Sequence, residues 1–187
     1  LHPLAVAAQG MYIAFPPTSP MKRALARYAL ARADLVTSWG AHMTRNMIAL
    51  GCNPAKIRTI AYGIDTDRFA IDADRPRPGT PVRLLSTRAL RSDYNLEPIL
   101  RALPEVVKRL PDAIWTAVGE GPEKARLAAL AEALGVTANV EFPGRVTLAR
   151  LVELLRACDV YVSTVPTDGV SASLLEAMAC GAWPGVT

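Results

Sequence analysis

Asp168 and Glu176 stand eight residues apart, with Gly169, Val170, Ser171 and Ser173 between them. The first acid falls in a loop-like run, Pro166-Thr167-Asp168-Gly169, and the second in a helix-like one, Leu174-Leu175-Glu176-Ala177-Met178. Gly169 and the peptide nitrogens of Ser171–Ser173 would then form the helix start. Unpaired N–H groups and the positive end of the helix dipole make such a start attractive to phosphate. A carboxylate one to two turns further along is placed to accept hydrogen bonds from sugar or ribose hydroxyls. The plain structural alternative is a capping Asp or Ser and a Glu that faces water.

Three other loops carry suggestive residues. Arg88 and Arg91 follow a short apolar run, Val82–Thr87, and a guanidinium fork matches the paired oxygens of a diphosphate. Loop arginines that simply face solvent are the alternative. Gly119-Glu120-Gly121-Pro122 offers two glycines where a backbone must come close to something. Phe142-Pro143-Gly144-Arg145-Val146 could line a base pocket through its backbone groups and the phenyl ring, unless Phe142 is spent on the core.

The elements that must position these loops alternate along the chain. Strand-like runs at Val82–Thr87, Ala113–Val118, Asn139–Phe142, Asp159–Ser163 and Trp183–Val186 enclose helical stripes. These are Ile99-Leu100-Leu103-Val106-Val107-Leu110, then Leu127-Leu130-Leu134, Leu148-Leu151-Val152-Leu155 behind a capping Thr147, and Leu174–Cys180. Pro122 suits a first helical turn. Strands alternating with helices predict an α/β fold, a Rossmann-like parallel sheet with helices on both faces. Its ligand belongs at the carboxyl ends of the strands, where all four loops lie. Upstream, a strand at Leu4–Ala8, a helix through Lys22–Arg32, a strand at Asp34–Ser38, a helix with Met43, Met47 and Leu50, and a strand at Lys56–Ala61 give the tail of another α/β domain. The Pro-rich polar run between the halves reads as a linker or loop. The domains expected are therefore 1–71, a linker at 72–81, and 82–187, the last stopping before its final crossover helix.

Composition narrows the class. With 51% hydrophobic and 20% charged residues among 187, the chain is a packed globular protein and not a disordered segment. A net charge of +4 from scattered basic residues, with 6% aromatics, excludes a nucleic-acid binder with a basic stripe. The three cysteines, Cys52, Cys158 and Cys180, form no Cys-x-x-Cys pair, so neither a zinc site nor a disulfide framework is expected. No apolar run reaches the roughly 18 residues of a membrane span. Leu4–Ala8 lacks a basic leader, and a start at Leu1 reads as part of something longer.

With these residues in view, the chain resembles the retaining GT-B glycosyltransferases of family 4. Their nucleotide-binding domain has an acid-x7-acid motif followed by Ala-Met-Ala-x-Gly, here Asp168 to Glu176 and then Ala177-Met178-Ala179-Cys180-Gly181. Val118-Gly119-Glu120-Gly121-Pro122, Phe142-x-Gly144-x-Val146, Ala157-Cys158-Asp159-Val160 and Tyr62-Gly63-Ile64-Asp65 with Phe69 also match. Arg32-Ala33-Asp34-Leu35-Val36-Thr37 resembles the end of the family's acceptor domain.

The resemblance implies transfer of a sugar from a nucleotide-diphosphate donor to an acceptor hydroxyl with retention, without a metal or other cofactor. It implies a donor diphosphate on Arg88, ribose hydroxyls on Glu176, and Asp168 facing the donor sugar. The base would sit on the backbone around Arg145 and Val146, and Gly63 would belong to the hinge loop near the phosphates. Two positions depart from the family. Asp168 stands where Glu is usual, and Tyr94 stands where a lysine is usual, leaving Arg91 to supply that charge. The partners implied are a nucleotide sugar and a sugar or lipid-linked acceptor, in the cytoplasm. Lys22, Arg23, Arg27 and Arg32 on one helix offer peripheral contact with the inner face of a membrane, or simply a solvated face. His2 and His42 carry no motif. The chain alone is expected to bind nucleotide weakly and to turn over nothing. A nucleotide-sugar epimerase of the same architecture and a non-catalytic interaction module are the rival readings; the base, the sugar and the oligomeric state stay open.

Overall fold

The computed structural model describes residues 3–7, 19–72, 81–165 and 171–186. Most of the expected linker, residues 73–80, therefore lies outside the described residues. The described chain forms two compact units that divide at Gly63 and Ile64.

The first unit is a three-stranded parallel sheet, β1 (Ala5–Ala7), β2 (Leu35–Ser38) and β3 (Ile57–Thr59), in that spatial order. Helix α1 (Pro20–Arg32) links β1 to β2 in sequence and α2 (Ala41–Ala49) links β2 to β3. Pro20 opens α1, where a missing N–H costs nothing. The core gathers Leu30, Ala33, Val36, Met47, Leu50, Cys52 and Ile57. Every strand and helix expected here is present, the strands shortened by a residue or two and α1 starting two residues earlier, at Pro20.

The second unit is a five-stranded parallel sheet. Its strands are β4 (Arg83–Ser86), β5 (Ile114–Val118), β6 (Val140–Gly144), β7 (Val160–Ser163) and β8 (Trp183–Val186). They lie in the order β6-β5-β4-β7-β8. Helices α3 (Glu97–Arg109), α4 (Lys124–Ala133), α5 (Leu148–Ala157) and α6 (Ala172–Ala179) make the crossovers. The Ile99, Leu100 and Leu103 stripe of α3 and Leu127 of α4 pack with Trp115 and Ala117 of β5 in one core cluster. A second cluster joins Leu85, Tyr161, Leu155, Cys158, Ala177 and Cys180. Each fully buried Leu or Trp contributes on the order of 2 kcal/mol relative to leaving it in water. Phe69 is buried in this second cluster and Ile64 packs against it, so the segment after Gly63 takes its packing from the second unit.

Two details differ from the sequence reading. Helix α4 begins at Lys124, with Pro122 in the turn before it and not in its first turn. Strand β6 runs on through Pro143 to Gly144, which the sequence assigns to a loop. Proline is tolerated there because, among the described strands, β6 lies at the edge of the sheet.

The order of the second sheet decides where a ligand can sit. From β4 the chain moves one way to β5 and β6, and then returns to β7 on the opposite side of β4. Crossovers leave β4 and β7 in opposite directions, opening a crevice beyond their carboxyl ends. Loop 87–95 after β4 borders it, with Thr164 after β7 hydrogen-bonded to that loop at Asn95.

The loop after β5 is drawn tightly against loop 87–95. A Cβ on Gly121 would lie 2.2 Å from the carbonyl oxygen of Leu90, and one on Gly119 would lie 2.5 Å from that of Arg88. Only glycine fits either place. Leu90 donates its N–H to the Glu120 carbonyl and accepts from the N–H of Glu123. Gly121→Ala is expected to destabilise the chain by about 2 kcal/mol, the scale of an overpacked core site, read as a lowered urea midpoint. An unchanged midpoint would show that these loops do not approach so closely.

Candidate functional site

The loop after β4 is fixed before any ligand arrives. Ser86, buried at the end of β4, accepts from the Trp115 indole N–H and donates to the Val162 carbonyl. Its neighbour Thr87 shares a hydrogen bond of 2.9 Å with the Tyr161 hydroxyl. Further on, Ser92–Tyr94 makes one tight 3-10 turn, which Asn95 ends in the left-handed region at φ 49°. Asparagine tolerates that conformation better than most residues. Asn95 and Thr164 exchange hydrogen bonds, the amide donating to the Thr164 carbonyl and the Thr164 hydroxyl donating to that of Asn95. The loop is thus sewn to β7 on one side and to the glycine loop on the other.

Arg88 leaves this loop half-buried, and its Nε is fully enclosed. Its guanidinium lies over the Tyr94 ring, 5.5 Å from the centroid. Its charge also reaches Glu176, which lies half-buried in the middle of α6. Burial pushes the Glu176 carboxyl above its ordinary range, and the Arg88 charge pulls part of the way back. The two predicted ligand residues from opposite sides of the β4/β7 crevice are therefore electrostatic neighbours. An arginine facing a carboxylate across a crevice gives a cation for phosphate and an acceptor for hydroxyls.

The other predicted site residues fall as follows. Asp168, Gly169 and Val170 lie outside the described residues. Ser171 directly precedes α6. Gly119 and Gly121 serve the approach of two loops to each other. Arg145 is 85% exposed and pairs with Glu120 at 3.5 Å, tying the loop after β6 to the loop after β5. Val146 packs against the second core cluster, and Phe142 sits edge-on to Trp115 with its centroid 6.1 Å away. Gly63 is exposed, with nothing within 4 Å of where a Cβ would be. Arg91 is held by Asp93 through two contacts of 3.0 and 3.2 Å. That pairing occupies the charge which the sequence reading offers in place of a lysine.

Sequence reasoning missed the ring under Arg88 and the Asn95–Thr164 exchange. Nothing in the spacing of Tyr94 signals a stacking role, and an isolated Asn has many uses. Among the described residues no three His, Cys, Asp or Glu side chains gather as metal ligands. Among the same residues no helix is long and apolar enough to cross a membrane.

Comparison with known proteins gives this geometry a setting. The family model described as "Glycosyl transferases group 1" matches residues 67–186. Over 178 residues the chain is 34% identical to the GDP-mannose-dependent alpha-(1-6)-phosphatidylinositol monomannoside mannosyltransferase of Mycolicibacterium smegmatis, covering 84% of this chain and 46% of that protein. It is also 34% identical over 158 residues to the phosphatidyl-myo-inositol mannosyltransferase of Mycobacterium tuberculosis, covering 81% of this chain and 38% of the relative. The chain thus spans less than half the length of these two relatives. Among solved structures, Anabaena HepE in complex with UDP and glucose superimposes with a TM-score of 0.80 at 19% identity, over 98% of this chain and 52% of that one. Sucrose-phosphate synthase from Thermosynechococcus elongatus does so with 0.79 at 17% identity, over 97% and 49%.

The raised Glu176 carboxyl has a consequence for stability. A carboxyl whose pKa is higher in the fold than in the unfolded chain binds protons more tightly when folded, so folding is favoured as pH falls. The cost of the ionised group appears above the ordinary carboxylate range and is complete above the raised value. Glu176→Gln is therefore expected to unfold at a higher temperature than the parent chain at about pH 8, with the difference closing toward about pH 4. A difference that grows on acidification would contradict this assignment.

Proposed function

The chain belongs to the glycosyl transferases group 1 family and has the GT-B type of α/β fold, and from that premise we propose that it carries the donor site of a retaining glycosyltransferase of family 4. The donor is a nucleotide-diphosphate hexose. Its diphosphate lies against Arg88 and the amides at the start of α6, and its ribose hydroxyls hydrogen-bond to Glu176. The backbone near Arg145 and Val146 holds the base. By sequence resemblance alone, Asp168 faces the sugar and Gly63 belongs to the hinge.

The observation that carries this reading is the Arg88 charge acting on the half-buried Glu176 at the strand-order reversal. Cleavage of the glycosidic bond leaves a nucleoside diphosphate with growing negative charge. A fixed guanidinium and oriented peptide dipoles stabilise that charge more than they stabilise the intact donor, which is what lowers a barrier. The proposal needs no metal for this step. Transfer needs the acceptor side closed over the donor, so the chain alone binds nucleotide weakly and turns over nothing.

Two of the relatives named above are mannosyltransferases whose names carry phosphatidylinositol acceptors, and one name specifies GDP-mannose. GDP-mannose is accordingly the first donor to test, with a lipid-linked sugar as acceptor and a cytoplasmic site at the membrane's inner face. No observation favours the epimerase or the non-catalytic module considered from the sequence.

Calorimetry of the chain with GDP-mannose, UDP-glucose and ADP-glucose tests the donor site. At least one should bind, and Arg88→Ala and Glu176→Ala should each weaken it by about tenfold, or ~1.4 kcal/mol. Equal affinity in parent and both variants would remove the reading.

A further inference from the structure

We infer that Tyr94 is a positioning residue for Arg88: its ring is the platform that holds the guanidinium toward the crevice, and diphosphate affinity depends on it. This rests on the donor-site reading above.

Three observations converge on that role. The guanidinium carbon lies 5.5 Å from the ring centroid, inside the range where a cation is attracted to the negative face of an aromatic ring. Tyr94 is half-buried, so the contact is partly desolvated, where such an attraction is stronger than in open water. The ring is itself immobilised from both sides in sequence. Arg91 and Asp93 clamp the start of the 3-10 turn, the Tyr94 N–H donates to the Arg91 carbonyl, and the Asn95–Thr164 exchange locks its end to β7.

An arginine side chain has four rotatable bonds, and ordering it on the ligand costs entropy each time it binds. A ring that holds the guanidinium beforehand removes much of that cost. It does so through an aromatic face and not through a second cation that would compete for the phosphate oxygens. A cation over an aromatic face is held through its charge, whereas the guanidinium's N–H donors lie along its edge. The role follows from the ring and not from the hydroxyl.

The test compares Tyr94→Leu, Tyr94→Phe and Arg88→Ala in the 187-residue chain. Two readouts are used: the Arg88 Nε–Hε resonance of the ligand-free protein, and affinities for UDP, GDP, uridine and guanosine. Stacking on a ring displaces that resonance by the ring current. The displacement should persist in Tyr94→Phe and vanish in Tyr94→Leu. Tyr94→Leu should weaken the diphosphates about fivefold and leave the nucleosides unchanged, whereas Tyr94→Phe should match the parent. An unaltered Arg88 resonance in Tyr94→Leu overturns the inference, as does lost diphosphate affinity in a folded Tyr94→Phe. If Arg88→Ala weakens the diphosphates and Tyr94→Leu does not, the inference fails and the donor site stands. If Arg88→Ala leaves them unchanged, the donor-site reading itself falls. The ligand-free resonance decides the stacking in every case.

Discussion

A half-buried carboxyl within reach of an arginine's charge, at a reversal of strand order, is the interaction on which the second unit's site depends. Burial makes an ionised Glu176 unfavourable, and Arg88 offsets part of that cost. What brings them together is topology: β4 and β7 are neighbours in space though separated by three crossovers in sequence. The loop that follows β4 and the helix that follows β7 therefore open onto the same crevice. A parallel sheet with the order unreversed would give no such meeting point.

The rest of the unit serves to keep that meeting point rigid, and the contacts that do so differ in weight. The ion pairs that Glu97 and Arg126 make on the surface, with Arg101 and Glu123, join the first turns of α3 and α4. They are largely exposed, and pairs of that kind are worth about 1 kcal/mol or less each. The close approach of Gly119 and Gly121 to the backbone of residues 88–90 is of another order, because no relaxation of a flexible side chain can make room for a Cβ there. The buried hydroxyl bonds of Ser86 matter for the same reason: losing one partner would leave a polar group enclosed and unsatisfied. Backbone packing and buried polar bonds, more than surface ion pairs, fix the loop that carries Arg88.

Much of this was legible in the sequence because it obeys simple periodicities. The α3 stripe of Ile99, Leu100 and Leu103 and the apolar β5 run of Trp115 to Val118 state their elements plainly. Thr147 caps α5 as its type and place suggest, its hydroxyl accepting from the Arg150 N–H. Arg88 and Glu176 were legible as ligand candidates because loop position and residue chemistry agree with a recognisable motif. The purpose of Gly119 and Gly121 was legible only in part: close approach is written in the glycines, but not what approaches. Pro143 misled because the sequence does not say that its strand is at an edge. The Arg88–Tyr94 stack and the engagement of Arg91 by Asp93 were invisible, since both depend on how a single 3-10 turn aims its side chains.

The decisive measurement is a crystal structure of the chain with GDP or UDP bound. The β-phosphate should lie within hydrogen-bonding reach of the Arg88 guanidinium and the ribose hydroxyls on the Glu176 carboxylate, beyond the carboxyl ends of β4 and β7. A nucleotide seated at the amino ends of the strands, or with its phosphates turned away from Arg88, would contradict that placement.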